Sequence, residues 1–150
     1  MDCSLISNID EIDGIMKYCK LYSKFDIHHG TIAKLEEMVM NNDIVIFYVR
    51  DIESNCILGV LLSYSHYSTW VGEFLVIRHV IIKGYDNSVA QLLFSSIINY
   101  GKEKGFKRID VFTSDETIKN ILSKMNFFNL SEKEQWECFS LTTNKRHLTK

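Results

Sequence analysis

The sequence has no proline, no long apolar run and no excess of basic residues. The lack of proline, beside many isoleucine, asparagine and lysine residues, is typical of an AT-rich genome such as that of a large DNA virus and carries no information about the fold. No apolar stretch approaches the roughly 20 residues of a membrane-spanning helix, so no membrane contact is expected. A formal net charge of -2 argues against nucleic acid as a partner.

Signals for secretion and for metal binding are missing as well. The first residues lack the charged and then apolar pattern of a secretory signal, which predicts a cytoplasmic protein. The four cysteines share no C-x-x-C spacing, and in the cytoplasm they are expected to be reduced thiols. The histidines lack the spacing of metal ligands, so no metal site is predicted.

What is present is the composition of an ordinary globular domain, with 46% apolar and 24% charged residues. A chain of 150 residues can bury a sizeable single core, so residues 1–150 are predicted to form one domain. Within it, the polar segment 143–150 is predicted to be a mobile tail.

Hydrophobic periodicity predicts ten elements in the order β-α-α-β-β-β-α-β-α-β, hence a mixed α/β sheet with helices on both faces. The clearest helix begins near residue 88, capped by Asn87 or Ser88, and ends at Gly105. Thr31 is predicted to cap the second helix. The strands on either side of the long helix should be parallel, and the earlier strands antiparallel. The predicted strands are 3–7, 44–50, 56–64, 73–82, 108–113 and 134–141, with a loop over 65–72 and the last helix over 115–125.

The strand over 73–82 is nearly continuously apolar, which predicts burial on both faces. Only Arg78 and His79 interrupt it. Two polar residues in the middle of a covered strand would be costly in a plain core, so the interruption indicates a place where the sheet opens into a cleft. Simple alternation puts Phe74, Val76, Val80 and Ile82 on the same face as Arg78.

Three segments of the chain resemble a known family. They are YSTWVGEFL over 67–75, TSDE over 113–116 and NLSEKEQWECF over 129–139, with a shorter likeness at the lysine–aromatic–acidic stretch 24–26. With the element order, they resemble the GNAT superfamily of N-acetyltransferases, and most closely its diamine (spermidine/spermine) acetyltransferases. The resemblance covers roughly the whole domain and implies the GNAT fold.

The resemblance implies a coenzyme A site at the turn between the central strand and the long helix. Enzymes of this family bind acetyl-CoA and pass its acetyl group to an amine, and the turn that holds the diphosphate has an arginine and alternating glycines. Here the turn keeps only Gly84, and Asp86 aligns with the arginine. Since a charge pair near a surface is worth about 1–4 kcal/mol, the reversed sign disfavours phosphate. The positions that would contact the cofactor are Val80, Ile81, Ile82, Tyr85, Asp86, Asn87, Ser88 and Val89, of which Asp86, Asn87 and Ser88 can alternatively serve only as a helix cap.

The resemblance also implies where an amine would bind and react. Diamine acetyltransferases have two acidic residues where this chain has Arg78 and His79, and Arg78 would repel a polyamine. His79 is the candidate base of an active enzyme because imidazole titrates near neutral pH, although a single histidine on a strand is more often structural. The family's acid, a tyrosine, aligns with Leu122, which has no proton to give and suits the apolar stripe of its helix. The substrate side would comprise Phe25, Asp26, Trp70 and Arg78.

The sequence thus keeps the architecture of the family and lacks three features of its chemistry. This predicts a catalytically inactive pseudoenzyme that works as a protein-binding module, with no cofactor, an unidentified protein partner and a homodimer implied by the family. The alternative is an active acetyl-CoA-dependent N-acetyltransferase with a rearranged site, acting on a polyamine or another small amine. A third hypothesis is a polyamine-binding protein without catalysis.

Overall fold

The architecture centres on one five-stranded sheet. A computed structural model of the chain describes residues 1–22, 30–135, 139–141 and 143. The strands lie in the order β1-β2-β3-β4-β5, with β1 to β4 antiparallel and β5 parallel to β4, as predicted. Their bounds are Asp2–Leu5 (β1), Ile44–Arg50 (β2), Ile57–Ser68 (β3), Gly72–Ile82 (β4) and Ile109–Val111 (β5).

Helices cover both faces of the sheet, which confirms the predicted mixed α/β architecture. On one face lie α1 (Asp10–Tyr22) and α2 (Thr31–Met40), and on the other lie α3 (Asn87–Lys104) and α4 (Glu116–Lys124). A short helix, α5, follows at Leu130–Glu134. Each face has its own apolar core, since the alternation of a strand sends neighbouring side chains to opposite sides. Among the described residues no helix is both long and apolar enough to cross a bilayer.

Two of the predicted helix caps were wrong by one or two residues. The cap of α3 is Asp86, whose carboxylate accepts the Ser88 N–H, so Asn87 and Ser88 are the first helical residues. Before α2 the cap position is held by Gly30 with a φ of 81°, and Thr31 is the first residue inside the helix. The end of α3 at Gly105, with a φ of 79°, is as predicted because glycine adopts this left-handed conformation without strain.

The loop predicted over 65–72 is wrong: these residues extend two strands into a long hairpin. β3 continues to Ser68 and β4 begins at Gly72, with Tyr67 paired to Glu73 across the hairpin. Only residues 69–71 form the connection. The hairpin end projects into solvent and carries polar and aromatic residues, and this composition made the segment resemble a loop.

The strand predicted over 134–141 is also wrong for the described residues. Glu134 ends α5, Gln135 has a φ of 53°, and residues 139–141 belong to no strand. The Asn129 side chain accepts the N–H groups of Ser131 and Glu132 and caps α5, which extends to Glu134, the first residue of the predicted strand. Residues 136–138 lie outside the described part of the chain, as does the predicted tail apart from residue 143.

Candidate functional site

The sheet opens between β4 and β5, as the interruption at Arg78 and His79 predicted. The two strands pair only between Leu75–Ile77 and Ile109–Val111, and the last bond runs from the Phe112 N–H to the Ile77 carbonyl at 3.2 Å. β4 then continues to Ile82 beside β3 alone. This separation leaves one side of the end of β4 free of a neighbouring strand among the described residues.

A β-bulge at Arg78 changes which side chains face which core. β3 pairs Leu62 with His79 but Ser63 with Ile77, so Arg78 is an extra residue on β4. The extra residue reverses the alternation, and Val80 and Ile82 therefore pack toward α3 with Leu75 and Ile77. The prediction that they share the face of Phe74 and Val76 was wrong, because sequence alternation assumes an unbroken ladder. The strand is also buried on both faces only at Leu75, Val76 and Ile77.

A groove lies where the end of β4 meets the first turns of α3 and α4. It is shallow, since most of its roughly 320 Å³ of empty space is open to solvent. The floor is apolar and the rim is polar. The lining residues are Val80, Ile82, Asp86, Asn87, Ala90, Asp115, Thr117, Ile118 and Ile121.

The turn that leads into the groove is anchored to α1. Gly84 adopts a φ of 69° within the short helical turn Lys83–Tyr85, which favours glycine at this position. The Tyr18 hydroxyl accepts the Lys83 N–H and donates to the Leu58 carbonyl, both at 2.8 Å. The Lys83 ammonium group lies 5.7 Å from the centre of the Tyr22 ring. The positive charge of Lys83 therefore lies beside α1.

Two carboxylates form the rim of the groove, and both are helix caps. Asp86 accepts the Ser88 N–H at 2.9 Å and the Ser88 hydroxyl at 2.6 Å, and these bonds lower the pKa of its carboxyl group. Asp115 accepts the Ile118 N–H at 3.1 Å. Each carboxylate therefore occupies a backbone donor that a helix N-terminus would otherwise offer to an anion.

The predicted cofactor positions fall into three groups. Val80, Ile82, Asp86 and Asn87 line the groove. Ile81 packs on the other face of the sheet with the α1 core, Ser88 bonds to Asp86, and Val89 is only 1% exposed in the α3 core. The side chain of Tyr85 lies outside the described part of the chain. The contribution of α4 to the groove was not predicted, although Asp115 at the start of a predicted helix was an available signal in the sequence.

The candidate base and the residue at the position of the family's acid lie on opposite faces of the sheet. His79 is exposed and pairs with Leu62, so it faces the α1 side, opposite the groove-lining Val80. Partial burial of the imidazole, and then the charge of Arg78, lower the pKa of His79, so the ring is neutral at pH 7 and a weaker base than usual. Leu122 is 8% exposed within the α3 core.

The predicted substrate side is only partly described. Trp70 is 95% exposed at the hairpin end, and the part of β4 from Gly72 to Arg78 that follows it spans roughly 20 Å. The Arg78 guanidinium lies 4.4 Å from the centre of the Phe112 ring. Phe25 and Asp26 lie outside the described residues. Among the residues that are described, no group of three or more His, Cys, Asp or Glu side chains could hold a metal ion.

Comparison with known proteins gives a match in structure alone. No family model and no curated protein sequence matches the chain. A crystal structure of a probable acetyltransferase superposes with a TM-score of 0.77 at 16% identity, covering 96% of this chain and 99% of the other. The ribosomal-protein-alanine N-acetyltransferase of Brucella melitensis biovar Abortus 2308 gives 0.72 at 10% identity, covering 95% and 99%. A predicted acetyltransferase of Clostridium acetobutylicum, solved with acetyl-CoA, gives 0.71 at 14% identity, covering 93% and 96%.

These matches define the class of fold. The chain has the GNAT acetyltransferase fold, with its mixed five-stranded sheet flanked by helices. At identities of 10–16% the likeness concerns the fold and not the activity. Function has to be argued from the groove and its neighbouring side chains.

Proposed function

We propose that this chain is a catalytically inactive acetyltransferase-like protein that works as a protein-binding module. The observation that carries the proposal is the capping carboxylate of Asp86, which stands where the family has an arginine, on the rim of the groove at the end of β4. Four of the eight positions at which the family resemblance implies acetyl-CoA line this groove.

The residues of the groove do not fit a coenzyme A diphosphate. A diphosphate needs free backbone N–H groups and a cation. Asp86 occupies the Ser88 N–H, and the Lys83 ammonium group lies against Tyr22. Near a surface each reversed charge pair disfavours the anion by about 1–4 kcal/mol, enough to reduce affinity by one to three orders of magnitude.

The side chains that acetyl transfer needs as acid and base are also missing from the groove. A proton donor is required for the leaving thiolate, and the aligned position holds the buried Leu122. The candidate base His79 is a weakened one, and it faces away from the groove. A fold that keeps its packing and loses these groups suits binding better than catalysis.

The alternative, an active N-acetyltransferase of a polyamine or another small amine, draws on one observation. β4 and β5 still separate beyond Ile77, which leaves the backbone at the end of β4 accessible to a ligand. Backbone contacts survive substitution, so acetyl-CoA could bind without the glycines. Arg78 beside this opening makes a polyamine the less favourable substrate.

A thermal shift experiment with acetyl-CoA separates the two proposals. A ligand at 100 times its Kd stabilises a protein by about 2.7 kcal/mol, and we expect no such shift for the wild type. The double variant Asp86→Asn, Asp115→Asn removes both charges and keeps both caps, because asparagine caps helices as well as aspartate does. It should gain affinity for coenzyme A at unchanged stability. A clear shift of the wild type, with acetylation of spermidine, would overturn the inactive assignment.

The proposed binding module is expected to form a homodimer and to bind an unidentified partner protein. The homodimer follows from the family resemblance, and sedimentation velocity over a range of concentrations tests it. A protomer mass at all concentrations would contradict it.

A further inference from the structure

A patch of arginine and aromatic side chains lies at the opening between β4 and β5, on the face opposite α3, with two of its four residues exposed and two half-buried. We call it the split-strand face and define it by Phe74, Arg78, Arg108 and Phe112. The parallel pairing sets Leu75 beside Ile109 and Ile77 beside Val111, and these four side chains face α3. The residues on either side of them in each strand therefore lie on the opposite face. The Arg108 guanidinium lies 5.0 Å from the Phe74 ring centre, and the His66 ring stacks on Phe74 at 5.8 Å.

The two arginines of the split-strand face differ in their electrostatic state. Arg108 forms an ion pair with Asp110: its Nη2 donates to Oδ2 at 3.1 Å, and its Nε lies 2.9 Å from Oδ1 without the geometry of a hydrogen bond. Arg78 is exposed, and no carboxylate in the described part of the chain forms an ion pair with it. The bulge holds Arg78 over Phe112, which is itself 47% exposed. The patch therefore carries one uncompensated positive charge on an aromatic platform.

A guanidinium that rests on a ring keeps its N–H edges available. The ring covers one flat side of the group, while the five N–H donors point outward in its plane. That edge matches a carboxylate, which accepts two parallel hydrogen bonds. The uncovered part of the Phe112 ring beside it offers apolar contact.

We propose that the split-strand face binds an acidic peptide segment of a partner protein, with a carboxylate on Arg78 and an adjacent apolar side chain on Phe112. This inference rests on the proposed binding function and specifies the chemistry of the partner. Arginine and aromatic residues are enriched at the energetic centres of protein interfaces. An exposed sheet face suits an extended chain better than a small molecule, which favours a concave pocket.

Fluorescence anisotropy with a labelled peptide of alternating glutamate and leucine tests the proposal. The wild type should bind it at least about tenfold more tightly than the same peptide with glutamine, because only the carboxylate forms the two-point contact. Arg78→Gln should weaken binding of the acidic peptide by about tenfold or more. The matched control is Arg50→Gln, since Arg50 also lies over a ring, that of Tyr48 at 5.2 Å, on the distant strand β2. It should leave the affinity unchanged.

Equal affinity for the two peptides, or equal weakening by Arg78→Gln and Arg50→Gln, overturns the proposal. Arg78→Lys, which keeps the charge and loses the fork of donors, should give intermediate affinity and serves if Arg78→Gln does not fold. The acetyl-CoA thermal shift on the same samples separates the two proposals. If the peptide does not bind and acetyl-CoA gives no thermal shift, only the proposal of an acidic partner is refuted. If acetyl-CoA gives a shift and the protein still prefers the acidic peptide, only the proposal of an inactive protein is refuted.

Discussion

The Tyr18 hydroxyl joins α1 to the turn that enters the groove, and removing it tests that connection quantitatively. It donates to the Leu58 carbonyl and accepts the Lys83 N–H, both at 2.8 Å, from a residue that is 6% exposed. Tyr18→Phe keeps the ring and leaves two backbone groups without their partner. A buried group left unsatisfied costs about 1–3 kcal/mol. Because water can reach part of this region, we expect the free energy of unfolding to fall by about 1–3 kcal/mol for the loss of both hydrogen bonds together.

Urea unfolding and thermal melting measure this loss. For a chain of 150 residues the expected change corresponds to a fall in Tm of roughly 2–12 °C. The matched control is Tyr22→Phe on the same helix, whose ring is 4.8 Å from that of Tyr18 and which is far more exposed. Its stability should remain within about 0.5 kcal/mol of the wild type.

Hydrogen exchange locates the effect. The Lys83 amide should exchange faster in Tyr18→Phe, and it should keep its wild-type rate in Tyr22→Phe. If both variants match the wild type in stability and in exchange at Lys83, the hydroxyl does not anchor the turn and the reasoning fails.

Further predictions concern pH and packing. Burial raises the pKa of Tyr18 from 10.0 to about 12. The neutral hydroxyl therefore contributes its full stabilisation below pH 10, and this stabilisation is lost as the pH rises through 12. The urea midpoint should fall less over this range in Tyr18→Phe than in the wild type. In an NMR titration the pKa of His79 should lie below 6.5 and should rise in Arg78→Gln, whereas an unchanged value would exclude the charge of Arg78 as a cause. Gly59→Ala should destabilise the fold by about 1–3 kcal/mol in urea unfolding, because the added Cβ would lie 2.6 Å from Val89 Cγ1 on the buried side of α3; wild-type stability would show that α3 shifts freely.

Much of the fold could be predicted because its signals are local. The apolar run of β2 predicts Ile44–Arg50 to the residue, and the helical spacing of α3 together with Gly105 predicts its end. The parallel pairing of β4 with β5 follows from the crossover helix between them. These features depend on residues close in sequence or on a general rule of connection.

Two of the errors share one cause, which is that contacts distant in sequence override a local pattern. The bulge at Arg78 arises from pairing with β3 and reverses the faces of Val80 and Ile82. The hairpin over 65–72 carries polar and aromatic residues because it projects from the sheet, a property of position and not of residue type. Neither can be derived from the alternation of β4 alone.

The candidate site divides in the same way. The aspartate in the turn before α3, and the leucine at the family's acid position, are visible in the residues themselves. That Asp86 and Asp115 share one rim is visible only once α3 and α4 pack on the sheet, because 29 positions of chain separate them. The same holds for Arg78 and Phe112, which meet where two strands begin to part. Composition and spacing determine which elements form, whereas burial of apolar surface between distant elements decides which charges become neighbours.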